Sequence, residues 1–551
     1  MKFIISLFLF LFPQFLAAQQ YTFQKQWDKR FGGTDWESLN SLVKTFGGGY
    51  LTGGTSPSGI SGDKTESCWG GTGDYWIVKV DENGNKQWDK RYGGFGNDGL
   101  ISLAQTPDSG FILGGNSSSN IGGDKTQNGR GGFDFWIVKT DKNGNKEWDR
   151  RYGGTLDDWF GIVQVTRDSG YILCGSSNSS ISGDKTQDDW DVSHFTGDVW
   201  IVKTDLNGNI QWDKRYGGIY EDGIGAIIQT KDGGYLLGCV SSSDSSGDKT
   251  QNQWGGGDYW VIKIDSLGNK QWDKDFGGTS VENFVSLAAV SSNKYLVGGT
   301  SFSGVSGNKT LPNKGGTDFW VILLDSIGNK LWENVIGGVN GADYLYYIYP
   351  MSDNGYLLSG YSYSSISGDK TENNLGNSQA WIVKLDSTGA KQWDKTIFTT
   401  ANDGAAVVAF PDDGCYVIAV STLAGIGGYK TQANWDTTEQ TKDYWIMKFC
   451  MDTVVGIGDE AMDDEGGIQI QVYPNPFTTD LSIGLKAPFG GLGAATFTIT
   501  NALGQVIYKR EENNLSSNYT KMLDLSYLPN GFYFITVTQN GELFTKKVVK
   551  E

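Results

Sequence analysis

Three sets of side chains in this sequence have the types and spacing that chemistry requires. The first is acidic. A carboxylate stands ten positions after most tryptophans of a recurring W-D-K motif: Glu37, Asp98, Asp158, Asp222, Glu282 and Asp403, with Asp343 displaced by one. Carboxylates gathered round an axis suit a hard cation, and Ca²⁺ favours several carboxylate and carbonyl oxygens. The competing role is structural, each acid paired with a lysine of the nearby loops. Regular repetition favours that role. The second set is aromatic. Trp69, Trp190, Trp254 and Trp435 fall in long Ser/Gly-rich loops, and Trp36 and Trp159 lie beside shorter ones. Four aromatics on one face offer a surface for a sugar or a protein, whereas packing over the strands beneath is the plainer role. The third set is the loop sequence SGDKT at 61–65, with variants at 122–126, 182–186, 246–250, 306–310, 367–371 and 427–431. Gly before Lys-Thr resembles a phosphate loop, but the G-x-x-x-x-G-K-[ST] spacing is absent and no helix follows. A repeated turn fits better, with Asp capping backbone N–H groups and Lys in a salt bridge.

Nucleophilic catalysis finds little support. The single histidine is His194, in a small insertion around Asp188–Phe195, so Ser–His–Asp and Cys–His systems have almost no basis. Paired carboxylates could run glycoside chemistry, but acids recur in every unit and the sequence selects no pair.

The elements that position these residues form a repeat. DYWIVKVDENGNKQWDKRYGG at 74–94 returns at 134, 198, 258, 318 and 379, and a partial copy, DYWIMKF, starts at 443. The W-D-K tryptophans Trp27, Trp88, Trp148, Trp212, Trp272, Trp332 and Trp393 are spaced by 61, 60, 64, 60, 60 and 61 residues. A fixed period of this size means a repeat architecture. Each unit holds four strand-like runs, in the first unit 38–45, 50–55, 75–80 and 87–92. Gly-rich turns join the first two, and D-x-x-G-N, where Asn and Gly supply positive φ, joins the last two. Four strands in each of seven units predict a seven-bladed β-propeller over 19–450. The chain enters the array with a fourth strand at 24–33 and leaves after a third strand at 445–449. The entering strand is therefore predicted to complete the last blade and hide the unpaired edges.

Composition agrees. Glycine is abundant at 79 residues and proline scarce at 10, as expected of short strands and turns. A net charge of −18 argues against nucleic acid, whose phosphates need clustered Lys and Arg. The five cysteines, Cys68, Cys174, Cys239, Cys415 and Cys450, are odd in number and lack C-x-x-C spacing, so neither a disulfide framework nor a zinc site is expected. Residues 1–18 read as a secretory signal peptide: Lys2, an apolar run at 3–16, then Ala17-Ala18. The run is too short for a membrane span, none follows it, and no Cys after the cleavage site suggests a lipid anchor. Residues 451–467 are acidic and Gly-containing, as in a solvated linker. From 468, alternating short runs predict a small Ig-like β-sandwich.

That last module resembles a known family. VYPNPF at 472–477, ITNALGQVIYKR at 499–510, LPNGFYFI at 528–535 and the terminal FTKKVVKE resemble the type A C-terminal sorting domain of the type IX secretion system of Bacteroidota. The resemblance implies export through an outer-membrane translocon, with the product released or anchored at the surface, and the type IX machinery as partner of 468–551. The Gly/Trp-rich array also resembles those attached to such domains. An address says nothing of the cargo's chemistry. The sequence therefore predicts a secreted or surface-displayed, non-catalytic binding or adhesion propeller for glycan or protein ligands. It names no cofactor beyond possible Ca²⁺. A secreted glycan-active hydrolase or lyase and a purely structural module are the alternatives.

Overall fold

A computed structural model describes residues 20–290, 293–410, 414–436, 438, 440–454, 469–473, 477–486, 493–501, 505–515, 518–539 and 542–550. The signal peptide and most of the acidic linker lie outside the described residues. The described secondary structure is all β, without helices. Two compact units divide the chain: one spans Phe23–Met451 and the other contains the strands from 469 onward.

The larger unit contains seven four-stranded antiparallel sheets among the described residues. In sheet one the strands are Ser38–Lys44, Tyr50–Ser56, Asp74–Val80 and Lys86–Tyr92. These match the sequence reading to within two residues at every end. Sheets two to six repeat the pattern from residues 98, 158, 222, 282 and 343. The third strand of each is buried along its whole length, on both faces. That explains its mostly apolar sequence, since a strand covered on both faces has no polar side. Its buried lysine, Lys79 in sheet one, donates to the carbonyls of Gly48 and Val80. A bulge interrupts the first strand of sheets one to six, for example between Leu39 and Ser41.

Sheet seven is built from both ends of the unit. Its order is Gln20–Phe31, Asp443–Val454, Cys415–Thr422 and Val407–Ala409. The first strand of each sheet from one to six touches that of the next, the sixth and seventh included. There Tyr349 Oη accepts a hydrogen bond from Val408 N at 3.0 Å. Sheet seven touches sheet one through the same first strands, so the series returns to its start. Neighbouring sheets share apolar clusters. Trp76 of sheet one lies 5.0 Å from Tyr444 of sheet seven, and Tyr75 lies 4.9 Å from Trp136 of sheet two.

The smaller unit has a three-stranded sheet (Gln469–Tyr473, Asp480–Lys486, Asn518–Asp524) and a four-stranded sheet (Val506–Leu515, Gly493–Asn501, Gly531–Gln539, Glu542–Lys550). Both face one core, where Leu481, Ile483 and Leu523 meet Phe497, Ile535 and Val548.

One expectation is corrected. Cys415 and Cys450 form a disulfide. Strand register sets them directly opposite each other in sheet seven, which their separation of 35 residues does not reveal. Cys174 and Cys239 are buried, as small apolar residues would be.

Candidate functional site

The conspicuous motifs resolve into one repeated junction. In sheet one, Asp89 of W-D-K accepts from the indole of Trp76 at 3.0 Å, from Thr65 N at 2.9 Å and from the Thr65 hydroxyl at 2.9 Å. D-Y-W, W-D-K and G-D-K-T are therefore three sides of a single joint. Burial would raise the Asp89 carboxyl, but Lys86, Thr65 N–H and the Trp76 indole outweigh it and hold the group below its usual range. The joint recurs in every sheet. In sheet seven it spans the two ends of the unit: Asp28 accepts from Trp445 at 3.1 Å and from Thr431 N at 2.8 Å.

The sequence-predicted acids sit at the starts of first strands and are buried: Glu37, Asp98, Asp158, Asp222 and Glu282 are at most 1% exposed and Asp403 is 4% exposed. All but Asp403 tie the Gly-Gly handover to the next loop. Asp98 accepts from Gly94 N at 2.7 Å and from the Ser119 hydroxyl at 2.8 Å. Asp158 and Asp222 accept in the same way from Gly154 and Ser179, and from Gly218 and Ser243. Glu37 accepts from Gly33, Ser56 and Ser58, and Glu282 from Gly278 and Ser301. Asp403 accepts from the Thr399 hydroxyl. Their direct partners are thus hydroxyls and N–H groups, whereas the loop lysines mostly reach carbonyls: Lys249 to Ser243 at 2.9 Å, Lys309 to Ser303 at 2.8 Å. Burial pushes Asp158 and Asp222 up to about 6 and Asp403 to about 7. It also lowers Lys125, Lys370 and Lys430 to about 8. Among the described residues, no three His, Cys, Asp or Glu side chains gather as a metal-ion ligand set.

The four loop tryptophans are half-exposed, from 40% at Trp190 to 51% at Trp254. Three of them are clasps between neighbouring sheets. The Trp69 indole donates to Asp124 of the next loop at 3.1 Å, beneath the Arg91 guanidinium, which lies 4.8 Å from the ring centroid and pairs with Asp124. Trp190 does the same with Asp248 (3.0 Å) and Arg215 (4.3 Å), and Trp435 with Asp63 (2.8 Å) and Arg30 (4.2 Å). Between sheets two and three, Arg130 stands in for the tryptophan and pairs with Asp184 at 2.6 Å. Trp254 is the exception. Asp275 replaces the arginine and pairs with Lys249, and Asn308 replaces the aspartate. The arginines were not singled out from sequence. The signal is there, however: Arg30, Arg91 and Arg215 each stand three residues after a W-D-K tryptophan in units whose long loop has Trp.

Repeat symmetry breaks at sheet three. Its long loop carries the insertion, held by Asp191, which accepts from Ser193 N at 2.9 Å and from Phe195 N and Thr196 N at 3.0 Å. His194 takes a φ of +57° there, and its Nδ1 lies 3.6 Å from Asp189, which pairs with buried Lys185. The loop walls a cavity of about 500 Å³ with Asp157, Trp159, Asn178, His194, Phe195 and Glu221. Trp159 is 42% exposed and packs on Phe133 with ring centroids 4.6 Å apart. An aromatic face beside two carboxylates and an amide can stack on a sugar ring and bond its hydroxyls. Trp159 and the insertion were legible in sequence. Asp157, Asn178 and Glu221 were not, because only the fold brings them to one rim. A second cavity, of about 580 Å³, lies by the short turns of sheets one and two around Phe46, Trp88 and Phe111. Trp88 belongs to the repeated motif, so that groove is part of the regular packing between sheets.

Comparison with known proteins bears on the smaller unit. Residues 471–551 match the family of secretion system C-terminal sorting domains. This segment is a type IX sorting domain, and it marks an exported protein, secreted or attached to the cell surface. No curated protein matches the sequence. Among solved structures, the chain is similar to a protein of unknown function from Dyadobacter fermentans, with TM-score 0.41 and 11% identity over 78% of this chain and 99% of that one. It is also similar to a puromycin hydrolase, with TM-score 0.36 and 12% identity over 72% and 51% of the two chains. Likeness at this level carries no argument about activity.

Proposed function

We propose that this protein is an exported seven-bladed β-propeller that binds glycan on its long-loop face without turning it over. Seven sheets, first strands that return to their start and the shared joint at Asp28 support the blade count. Two sheets round one core support an Ig-like sandwich for the sorting domain, which delivers the propeller to the surface. The observation that carries the binding reading is the cavity beside Trp159. There an aromatic face beside the sheet-three insertion meets Asp157, Asn178 and Glu221. Pockets with an apolar platform and a few convergent polar groups are the usual form of small-ligand sites. A second reading rests on the same cavity: Asp157 and Glu221 are two carboxylates on one rim, the minimum a glycoside hydrolase needs. A glycan array followed by analysis of soluble products separates the two. Retained glycan without new reducing ends is the expected result. New reducing ends would favour the enzyme, and retention of protein but no glycan would replace the ligand class.

A further inference from the structure

A second departure from the repeat lies at sheet six. Its first strand, Asp343–Pro350, reads DYLYYIYP. Tyr344 pairs across the sheet with Tyr361, where sheets one, two and five set small or polar residues opposite one another: Ser38 with Thr55, Gly99 with Asn116 and Asn283 with Thr300. Tyr346 occupies the bulge, and Tyr363 follows the end of the second strand as the chain enters the long loop. Phe302 holds the same place in sheet five. The five rings form one cluster. Tyr344 stacks on Tyr361 with centroids 4.9 Å apart and planes 22° apart. Tyr346 lies 5.7 Å and Tyr363 5.8 Å from Tyr361, and Phe302 lies 6.4 Å from Tyr344. The cluster is not sealed: Tyr346, Phe302 and Tyr363 are 38–43% exposed.

We propose that this tyrosine cluster is a second glycan site, a stacking platform for neutral pyranoside chains. Each phenol offers an apolar face to a sugar's C–H groups and a hydroxyl that both donates and accepts. Rings packed against one another are held in place before binding, so little side-chain entropy is lost. Their spacing is comparable with the length of a pyranose unit, so successive rings can meet successive sugars. Charge selects the class of glycan. The clasped tryptophans carry an arginine over the ring, whereas among the described residues no cation stands over Phe302, Tyr344, Tyr346, Tyr361 or Tyr363. With a net charge of −18 and no local cation, the platform suits neutral sugars and disfavours acidic ones. The assignment rests on the glycan reading of the long-loop face but uses none of the residues of the Trp159 cavity.

The test is titration of the mature full chain with cello-, xylo- and manno-oligosaccharides of increasing length. The variants are Tyr346→Ala, Tyr346→Phe and Tyr363→Ser, the last copying Ser118 and Ser242 at the equivalent place, with Trp159→Ala as comparator. Tyr346→Ala and Tyr363→Ser are expected to weaken binding of the longer oligosaccharides about tenfold with an unchanged melting midpoint. Tyr346→Phe should retain most of it. Wild-type affinity in both tyrosine variants, with loss in Trp159→Ala, overturns the second site and leaves the Trp159 site standing. Failure of the wild type to bind any of the three sugars overturns the second site and leaves the Trp159 site to the glycan array.

Discussion

Trp69 and Trp159 are almost equally exposed, at 45% and 42%, yet they are different objects. Trp69 is held on three sides: its N–H by Asp124, one face by Arg91 and an edge by Phe95. The Asp and Arg contacts return at Trp190 and Trp435. Trp159 rests on Phe133 and faces a cavity walled by the sheet-three insertion; sheet seven has a matching insertion around Asp436, but Gly404 stands where Trp159 would be. Exposure alone therefore does not mark a ligand site in a repeat protein. A ring with a charged partner in the neighbouring sheet is a joint. A ring whose surroundings occur once, beside open volume, is available to something else.

The joints carry the larger energies. Removing residues 20–31 takes away the outer strand of sheet seven and Asp28, the acceptor shared by Trp445 and Thr431. Loss of a cooperative, protease-resistant propeller is expected, read by limited proteolysis and calorimetry. A truncated chain that melts like the wild type would mean that sheet seven is closed without its N-terminal strand. Within a single unit, Asp89→Ala leaves the buried Trp76 indole and Thr65 N–H without their acceptor, a loss on the order of 3 kcal/mol in denaturant melts. The clasp is weaker. Arg91→Ala removes a cation over a half-exposed ring and a solvent-screened ion pair, and is expected to cost about 1–2 kcal/mol.

The buried acids give a smaller, pH-dependent signature of the same repeated framework. Burial raises Asp74, Asp158 and Asp222 to about 6, and Asp198, Asp403 and Asp443 to about 7. In the unfolded chain such groups release their protons near 3.8. Between those values the folded state binds more protons, so their contribution to stability is lost as pH rises through the folded values. The joint carboxylates behave oppositely. Asp89, Asp149 and Asp273 are held below their ordinary value, so their contribution is present above it and is lost as pH falls. The melting midpoint should therefore rise from pH 8 to about 5 and fall below about 4. Trp159→Ala should keep the shape of that curve, because Trp159 belongs to none of these joints. A midpoint that climbs steadily from pH 5 to 8 would contradict the burial of the acids.

Much of the framework was legible before any coordinates. The period, the four runs of each unit and the completing strand at the N-terminal end follow from where Trp, Gly and Asn recur. The D-Y-W strand is apolar at most positions because both faces are covered. What was not legible depends on register and on approach between distant segments. Glu37 and its equivalents read as structural acids paired with the loop lysines, but their direct partners are Ser and Thr hydroxyls and Gly N–H groups. Cys415 and Cys450 face each other only once sheet seven is paired. Strand Asn518–Asp524 is hard to read from sequence because NYTKMLD lacks a clear apolar alternation. The Trp159 rim could not be assembled from sequence, since Asp157, Asn178 and Glu221 come from three different connections.

The central claim is that function lies where the repeats disagree. Its most direct test is glycan-array binding of the mature chain carrying either Trp159→Ala or Trp69→Ala. The account predicts that Trp159→Ala abolishes retention at the cavity with little change in melting, whereas Trp69→Ala lowers the melting midpoint and leaves glycan retention intact. The reverse pattern, with binding lost at Trp69 and kept at Trp159, would contradict it.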